Sequence, residues 1–422
     1  MVKFKFCMIS LASIIPSLDP GDWYAALDLQ DAYFHIHIFE GHRRFLRFTV
    51  GQEHYQFMVL PFGLSTAPRV FTKCMSVVAA YLRLWRVQIF PYPDNWLVKG
   101  SSWSQVWCHV ALLLSMCTTL GLLVNNTNSM LVLVQRIEVI GAVLDASSAR
   151  ASLPPNRFET LKGLIDTVTR FPVTTARACL QFLGHVSACM YVVCHTRLRM
   201  RPLQLWLASE FSQARDRMDK VLTVPKPVIT SLGWWSSLRN MLQGVPFRGR
   251  ALSLDLVSNA LDLGWGAHVG NVQTQGLWLA QDLTLYINIK ELRAVRLACM
   301  AFHSHLEGQV VRVLTDNTAS MFCINRQGGA QSSALCHEAL RLWDFCIAHN
   351  ICLRAFHLPG AWNSQADHLS RDFSSQHEWS LHPEVVHRHF QVWGTPGGPV
   401  CDSAEPSLSP VLLQRGWDGR YL

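Results

Sequence analysis

Short apolar runs of strand length alternate with longer helical stretches in two separate parts of the sequence, and this alternation predicts an α/β fold. In the first part, WYAALDL and FLRFTV are typical of strands, whereas TAPRVFTKCMSVVAAYLRLW and SQVWCHVALLLSMCTTLGL are typical of helices. The run VQIFPYPDNWLVKG predicts a hairpin across a proline-containing turn, and RIEVIGAVLD predicts one further strand.

The region between these parts, from residue 151 to about residue 244, has a helical pattern. Thr174 or Thr175 is positioned to cap one of its helices. The apolar residues of that helix recur at helical spacing, and they are Cys179, Leu183, Val186 and Met190.

The second α/β part begins near Gly249 with the strand-like runs ALSLDLV, WGAHVG and GLWLA. An amphipathic helix with Asn288 as its expected cap follows, and then the strand VVRVLTDN. The apolar stripe of the helix consists of Leu292, Val295, Cys299, Phe302 and Leu306.

These changes of pattern predict four segments, with boundaries at 1–150, 151–248, 249–373 and 374–422. Half of the 422 residues are hydrophobic and 16% are charged, which excludes intrinsic disorder for most of the chain. The last segment is rich in His, Pro, Gly and Ser, so we expect it to be an irregular tail.

The net charge, the cysteines and the N-terminal segment of the sequence indicate what kind of partner the chain binds and in which cellular compartment it acts. The net charge of +8 fits a polyanionic partner without requiring one. The 13 cysteines form no C-x-x-C pair and lie mostly in apolar runs, which favours a reducing compartment over disulfides or a zinc site. We expect no signal peptide in MVKFKFCMISLASIIPSLDP and no membrane span, and therefore an intracellular protein of the cytoplasm or nucleus.

Two aspartates of the first part stand where a pair of metal-binding carboxylates is expected. Asp28 ends the strand-like run ALDL, and Asp94 lies in the turn of FPYPDNW. Nucleotidyl transfer needs divalent ions held by carboxylates, and such ions bind oxygen ligands. Taken singly, each aspartate is more simply interpreted as a turn or cap residue.

In this order, LDLQDAYFHI, LPFGLSTAP and the YPDN turn resemble motifs A, B and C of retroelement reverse transcriptases. The details HRRFLRF and TAPRVFTK are most similar to DIRS-type (tyrosine-recombinase) retrotransposons, and the resemblance extends from about residue 3 to residue 394. It implies the palm of a right-hand polymerase, a helical thumb or connection, and a ribonuclease-H-like α/β domain. It further implies an RNA template, a DNA primer and deoxynucleoside triphosphates as partners.

The resemblance also implies roles for single residues. Asp28 and Asp94 would bind Mg²⁺ or Mn²⁺, with two ions in an active site, and Tyr33 would exclude a ribose 2′-hydroxyl. The nucleotide and template floor would be formed by Phe62, Gly63 and Pro68.

Two departures from the family predict impaired polymerase activity. The family's Tyr-x-Asp-Asp turn is Tyr92-Pro93-Asp94-Asn95 in this chain, so Asn95 removes a negative charge where cations bind. Pro93 also fixes φ in the turn that directs Asp94. In addition, we expect only a stub of the fingers region before the first motif.

A second set of acidic residues lies in the second α/β part. Glu291 is on the amphipathic helix, Asp316 ends the strand VVRVLTDN, and HLPGAWNSQADHLSR supplies His357, Asn363 and Asp367. Hydrolysis of an RNA strand uses the same two-ion arrangement, with water as the nucleophile. Each residue alone has a simpler interpretation as a helix-start, turn or loop residue.

Together these residues resemble the retroelement ribonuclease H pattern, which implies an RNA–DNA hybrid as substrate. Glu291, Asp316 and Asp367 would bind the ions, and His357 would act near the product. The family's first aspartate corresponds to Asn259, six residues before the tryptophan of GWGA. Neighbouring Asp255 and Asp262 are displaced along the strand and are not obvious substitutes.

Two hypotheses remain open from the sequence. The first is a retrotransposon-derived RNA-directed DNA polymerase and ribonuclease H, impaired at both sites. The second is a catalytically dead remnant that folds and at most binds nucleic acid. A recombinase role is set aside because no suitable arginine and tyrosine constellation follows Asp372.

Overall fold

The computed structural model describes residues 8–170 and 173–373, so the predicted irregular tail lies outside the described residues. The strands in chain order are β1 Trp23–Asp28, β2 Arg47–Val50, β3 Glu53–Gln56, β4 Gln88–Tyr92, β5 Asn95–Gly100, β6 Met130–Val134, β7 Arg136–Val139, β8 Ala142–Asp145, β9 Arg150–Ser152, β10 Val173–Thr175, β11 Val221–Thr223, β12 Val245–Pro246, β13 Leu254–Ala260, β14 Gly264–Val269, β15 Val272–Leu277, β16 Val310–Thr315 and β17 Cys352–His357.

The α-helices in chain order are α1 Leu11–Ile14, α2 Glu40–Arg43, α3 Ala67–Leu84, α4 Trp103–Leu120, α5 Pro155–Arg170, α6 Ala176–Ala188, α7 Thr196–Arg199, α8 Arg201–Glu210, α9 Lys226–Leu232, α10 Leu238–Leu242, α11 Ala280–Leu283, α12 Ile287–Ala301, α13 His303–Leu306, α14 Thr318–Asn325, α15 Ser333–Ala348 and α16 Ser364–Arg371. Within residues 8–170 and 173–373, four short 3₁₀ helices span Ile15–Ser17, Ala32–His35, Gly233–Ser236 and Gly360–Trp362.

The first sheet has the strand order β4-β5-β1-β6, and its paired strands are antiparallel. Helices α3 and α4 cover it, and apolar side chains from both helices share one core with the sheet. That core includes Leu27, Phe71, Trp96, Val106 and Leu113. The predicted hairpin (β4 and β5) and the two predicted helices of this part are confirmed.

The run RIEVIGAVLD, predicted as one strand, forms the two strands β7 and β8, so that prediction is wrong. Ile140 and Gly141 connect these strands, and both have positive φ, at 50° and 70°. Two consecutive residues of positive φ are the signature of a tight two-residue hairpin turn. The backbone therefore reverses in the middle of an apolar run that has no polar turn signal.

The helical middle region packs on the sheet β12-β9-β8-β7 in a single core. Thr175 is the cap of α6, where its side-chain oxygen accepts a hydrogen bond from the backbone N–H of Ala178 at 3.3 Å. The helix ends at Ala188, so Met190 lies beyond it. Because the core joins residues on both sides of position 150, the domain boundaries stay predictions.

The third sheet has the order β15-β14-β13-β16-β17. Strand β13 is antiparallel to β14 and parallel to β16, which is parallel to β17. Helix α12 contacts β13 and β14 through its predicted apolar stripe. All five residues of the predicted stripe are buried, and they are Leu292, Val295, Cys299, Phe302 and Leu306. The last two lie beyond the end of α12 at Ala301.

The predicted cap of α12 is wrong. The helix begins at Ile287 with Tyr286 as its cap residue, so Asn288 lies inside the first turn. Its side-chain oxygen instead accepts a hydrogen bond from the side-chain amide of Asn317, at 2.8 Å. This contact ties the start of α12 to the loop after β16.

The arrangement of sheets with packed helices confirms the mixed α/β fold class. Among the helices of the described residues, none combines the length and the apolar character that crossing a bilayer requires.

Candidate functional site

Asp28 and Asp94 lie at the same edge of the first sheet. Asp28 is the last residue of β1 and pairs with Asn95, the first residue of β5. Asp94 lies in the turn before Asn95, and its backbone oxygen accepts a hydrogen bond from the N–H of Leu29 at 2.8 Å. The sheet register thus brings both predicted carboxylates together, and we call this pair the first site.

The two carboxylates of the first site repel each other. Asp28 is half-buried, and its pKa is raised first by that burial and then by the charge of Asp94. A hydrogen bond from the side chain of Asn125 opposes this shift. The backbone N–H of Asp28 also donates to the hydroxyl of Ser129 at 2.9 Å. Sequence reasoning did not single out Asn125 or Ser129 as neighbours of Asp28, because they follow it by about a hundred residues.

Asn95 occupies the same edge, and its side-chain oxygen is buried without a hydrogen-bond partner. Buried acceptors in folded proteins usually have a partner, so this oxygen can accept from a donor such as a water or contact a cation. The preceding turn is fixed by the indole N–H of Trp96, which donates to the backbone oxygen of Pro93 at 3.1 Å.

An aromatic cluster flanks the first site. The ring of Tyr33 lies 4.8 Å from that of Phe62 and 5.5 Å from that of Phe71, centroid to centroid. The pKa of the Tyr33 hydroxyl is raised by burial and then by the charge of Asp94, so this side chain is near the carboxylates. Gly63 is exposed with φ of 86°, a conformation that favours glycine. Pro68 lies in the first turn of α3.

The acidic residues of the second α/β part also meet at one sheet edge. Strands β13, β16 and β17 are parallel, so their carboxyl ends lie side by side. Asn259 is near the end of β13, Asp316 follows β16, and His357 ends β17. Glu291 on α12 and Asp367 on α16 complete the cluster, which we call the second site.

Burial dominates the electrostatics of the second site. Glu291 is 5% exposed, and its pKa is raised to about 8 by burial and then by the charge of Asp316. One of its carboxylate oxygens, Oε2, has no hydrogen-bond partner. The pKa of Asp316 is also raised, first by burial and further by Asp367, while His357 opposes the shift. Near neutral pH, Glu291 is therefore largely protonated.

Asn259 acts as a hydrogen-bond donor in the second site. Its side-chain amide donates to Asp367 Oδ1 at 2.9 Å and to the hydroxyl of Ser370 at 3.1 Å. Arg371 also pairs with Asp367, with its Nε 2.9 Å from Oδ2 and its Nη2 2.9 Å from Oδ1. Sequence reasoning missed Ser370 and Arg371, although the spacing of four between Asp367 and Arg371 on one helix was an available signal.

The remaining predicted residues are placed as follows. Asn363 is buried, and its amide donates to the backbone oxygen of Ser258 at 3.2 Å, which fixes the loop before α16 to β13. The side chain of His357 is exposed. Asp255 forms an ion pair with Arg312, and Asp262 is exposed in the turn after β13.

The two sites differ in their fitness for a divalent cation. Within residues 8–170 and 173–373, no group of three or more His, Cys, Asp or Glu side chains is arranged to hold a metal ion. The first site offers two carboxylates, which is enough for Mg²⁺ when waters and substrate phosphates supply the other ligands. The second site fits less well, because the amide of Asn259 and the guanidinium of Arg371 both contact Asp367, one of the acids that would have to bind the ion.

Residues 7–186 match the family model described as reverse transcriptase (RNA-dependent DNA polymerase). The enzymatic polyprotein of cauliflower mosaic virus (strain D/H) is 23% identical over 372 residues, which cover 83% of this chain and 50% of the relative. A retrovirus-related Pol polyprotein from transposon 412 of Drosophila melanogaster is 32% identical over 98 residues, 23% of this chain and 8% of that protein. The chain spans about half the length of the viral polyproteins that it matches.

Solved structures of a foamy viral protease-reverse transcriptase share the fold. The complex with double-stranded DNA has a TM-score of 0.50 at 13% identity, covering 85% of this chain and 72% of that one. The complex with an RNA/DNA hybrid has a TM-score of 0.50 at 13% identity, covering 96% and 49%. At this identity the likeness concerns the fold alone.

Proposed function

With a reverse transcriptase domain over residues 7–186 as the premise, we propose that the chain is an RNA-directed DNA polymerase derived from a DIRS-type retrotransposon, with reduced activity. The observation that carries this proposal is the pair of Asp28 and Asp94 at one sheet edge, beside the ring of Tyr33. The partners are an RNA template, a DNA primer and deoxynucleoside triphosphates, which implies action in the cytoplasm or nucleus.

In this proposal Asp28 and Asp94 hold Mg²⁺ or Mn²⁺, which supplies positive charge to the primer hydroxyl and the triphosphate. Tyr33 excludes a 2′-hydroxyl, and the nucleotide lies against Phe62, Gly63 and Pro68. Asn95 limits the activity, because its neutral amide leaves the edge with one carboxylate fewer than the family's turn supplies.

Primer extension on an RNA template with Mn²⁺ tests the polymerase proposal. We expect weak extension that Asp94→Ala abolishes and Asn95→Asp increases. Extension that is unchanged in Asp94→Ala would exclude the first site as its source. No extension in the original chain or in Asn95→Asp would contradict the polymerase proposal.

We also propose that residues 249–373 form a ribonuclease-H-like domain. The support is the mixed five-stranded sheet, with Glu291, Asp316, Asp367 and His357 gathered at the carboxyl edge of its parallel strands. The substrate would be the RNA strand of an RNA–DNA hybrid. The hydrogen bond from Asn259 to Asp367 favours a low cleavage rate, because an amide donor takes the place of a bridging carboxylate.

The same hydrogen bond supports a second candidate function, which is nucleic-acid binding without chemistry. Release of short RNA fragments from a labelled hybrid separates the two candidates. Cleavage by the original chain above a Glu291→Ala control would exclude a dead remnant. Cleavage and extension that appear only in the double variant Asn95→Asp, Asn259→Asp would support it.

A further inference from the structure

A cavity of about 700 Å³ lies between α11, α12, α15 and the ends of strands β14 and β15. None of the second-site residues lines it. Its lining includes the apolar side chains Trp265, Trp278 and Leu297, which we call the apolar wall, and the arginines Arg293, Arg296 and Arg341. Its size is in the range of pockets that hold small organic ligands.

A buried carboxylate next to the cavity orients two of these arginines, Arg293 and Arg296. Glu338 is 2% exposed and accepts hydrogen bonds from Arg293 Nη2 at 3.1 Å and from Arg296 Nε at 2.6 Å. Arg341 Nη1 is 3.8 Å from the same carboxylate. Guanidinium groups held by such contacts are fixed in orientation before a ligand arrives, which lowers the entropic cost of binding.

The cluster keeps an excess of positive charge. Its three arginines face two carboxylates, those of Glu338 and Asp282, which pairs with Arg293. Arg296 Nη1 meets only the sulfur of Met300, at 3.4 Å. The side chains of Arg293 and Arg296 are 13% and 18% exposed, so water screens their charge weakly. An anion is the complementary ligand.

The apolar wall is also fixed in position. The indole N–H of Trp278 donates to the backbone oxygen of Leu261 at 2.7 Å. Trp265 lies over Gly276, where an added Cβ would come within 2.8 Å of the indole nitrogen. Glycine at this position thus lets the tryptophan lie against the strand. Trp265 and Trp278 are 8% and 6% exposed, so the accessible part of each indole can contact the edge of a planar or apolar group attached to the anion.

We propose that this cavity binds a nucleotide, with the phosphate on Arg296 and Arg341 and the base against the tryptophan wall. Arginine forks bind phosphate oxygens through paired, charge-assisted hydrogen bonds. The proposal does not depend on catalysis at either carboxylate site. The phosphate belongs either to a free mononucleotide or to the 5′ end of a nucleic-acid chain, and binding measurements distinguish these sources.

The test is calorimetric titration of the full chain with AMP, with adenosine, and with oligonucleotides that carry or lack a 5′-phosphate. We expect saturable AMP binding that inorganic phosphate competes away and no comparable binding of adenosine. If the 5′-phosphorylated oligonucleotide binds more tightly than AMP and the oligonucleotide without the phosphate does not, then the ligand is the 5′ end of a nucleic-acid chain. Absence of saturable binding by both AMP and the phosphorylated oligonucleotide would overturn the proposal.

Arg341→Gln locates the site, since this side chain is 66% exposed and its loss should preserve the fold. We expect about tenfold weaker binding, as for the loss of one charge-assisted contact. The matched control is Arg177→Gln, which removes the same charge from an exposed pair with Asp219. Equal weakening in both variants, with equal melting temperatures, would show nonspecific charge attraction and refute the cavity as the site.

Discussion

Asparagine stands at one edge position in each carboxylate cluster, and its surroundings differ between the two. In the first site, the side-chain oxygen of Asn95 is buried without a partner, and Asp28 and Asp94 repel each other. In the second site, the amide of Asn259 donates to Asp367 and Ser370. Asn259 therefore acts as a donor within a hydrogen-bond network, whereas the side-chain oxygen of Asn95 accepts no hydrogen bond from the protein.

This contrast indicates that the effect of an asparagine-to-aspartate substitution on stability depends on the residues around it. Asn259 is 4% exposed and faces a carboxylate, so a second charge there is buried. Asn95 as a whole is half-buried beside the exposed Asp94, so water screens part of the charge that an aspartate would add, although one of its side-chain oxygens would be buried. We expect this difference to affect stability as well as activity.

The largest effect is expected for Glu291→Gln in metal-free buffer. The pKa of Glu291 in the folded state is about 8, above its ordinary 4.5, so ionisation destabilises the fold as pH rises between these values. Glutamine stays neutral. The free energy of unfolding of Glu291→Gln should therefore exceed that of the original chain above pH 4.5. The difference should level off above pH 8, at no more than about 5 kcal/mol.

Urea unfolding of both proteins from pH 4 to pH 9 measures this advantage. Asp94→Asn is the control, since it neutralises an exposed acid in the other site. A difference between Glu291→Gln and the original chain that stays constant with pH would contradict a protonated Glu291.

The next largest effect is expected for Asn259→Asp. The substitution removes the donor to Asp367 and adds a buried charge beside it, so the free energy of unfolding should fall by about 3 kcal/mol without metal. Mn²⁺ should restore much of this loss, because a cation then has a bridging ligand. Thermal unfolding with EDTA and with Mn²⁺ checks both expectations; a stability insensitive to Mn²⁺ would count against them.

A smaller loss is expected for Asn95→Asp, about 1 kcal/mol without metal, because its neighbour Asp94 is exposed. The comparison between the sites requires this loss to be smaller than that of Asn259→Asp under the same conditions. Chemical denaturation of the two variants side by side gives the answer. If Asn95→Asp lowers the free energy of unfolding more than Asn259→Asp does, the inference that Asn259 is in the more buried surroundings is wrong.

The smallest effect is expected for Arg371→Gln. The ion pair with Asp367 is on one helix, and the arginine side chain is 62% exposed, so its loss should shift the thermal midpoint little. The outcome identifies what holds Asp367 in place. If Arg371→Gln destabilises the chain as much as Asn259→Ala does, then the arginine and not the buried amide maintains the second site.

The sequence predicted most elements that depend on local pattern. The period of the apolar residues predicts α3, α4 and α12. Residue type and position predict Thr174 or Thr175 as a cap, and Thr175 is the residue that caps α6. The hairpin of β7 and β8 was missed because Ile140 adopts a left-handed conformation that its side chain disfavours. Asn288 was misassigned because its partner, Asn317, is distant in the chain.

The sequence predicted which residues belong to the candidate sites, but not their protonation or their hydrogen bonds. Motif order singled out the acids, and the sheet registers bring them to common edges. The protonation of Glu291 and the amide donor role of Asn259 were beyond prediction, because both depend on burial and on contacts between residues far apart in sequence. Their catalytic and metal-binding roles remain proposals.

We propose that the first site binds a divalent cation more tightly than the second site does. Calorimetric titration of the full chain with Mn²⁺ tests it directly, with Asp94→Ala and Glu291→Ala as paired variants. We expect Asp94→Ala to weaken the tightest Mn²⁺ binding much more than Glu291→Ala does. Binding that survives in Asp94→Ala and disappears in Glu291→Ala would contradict it.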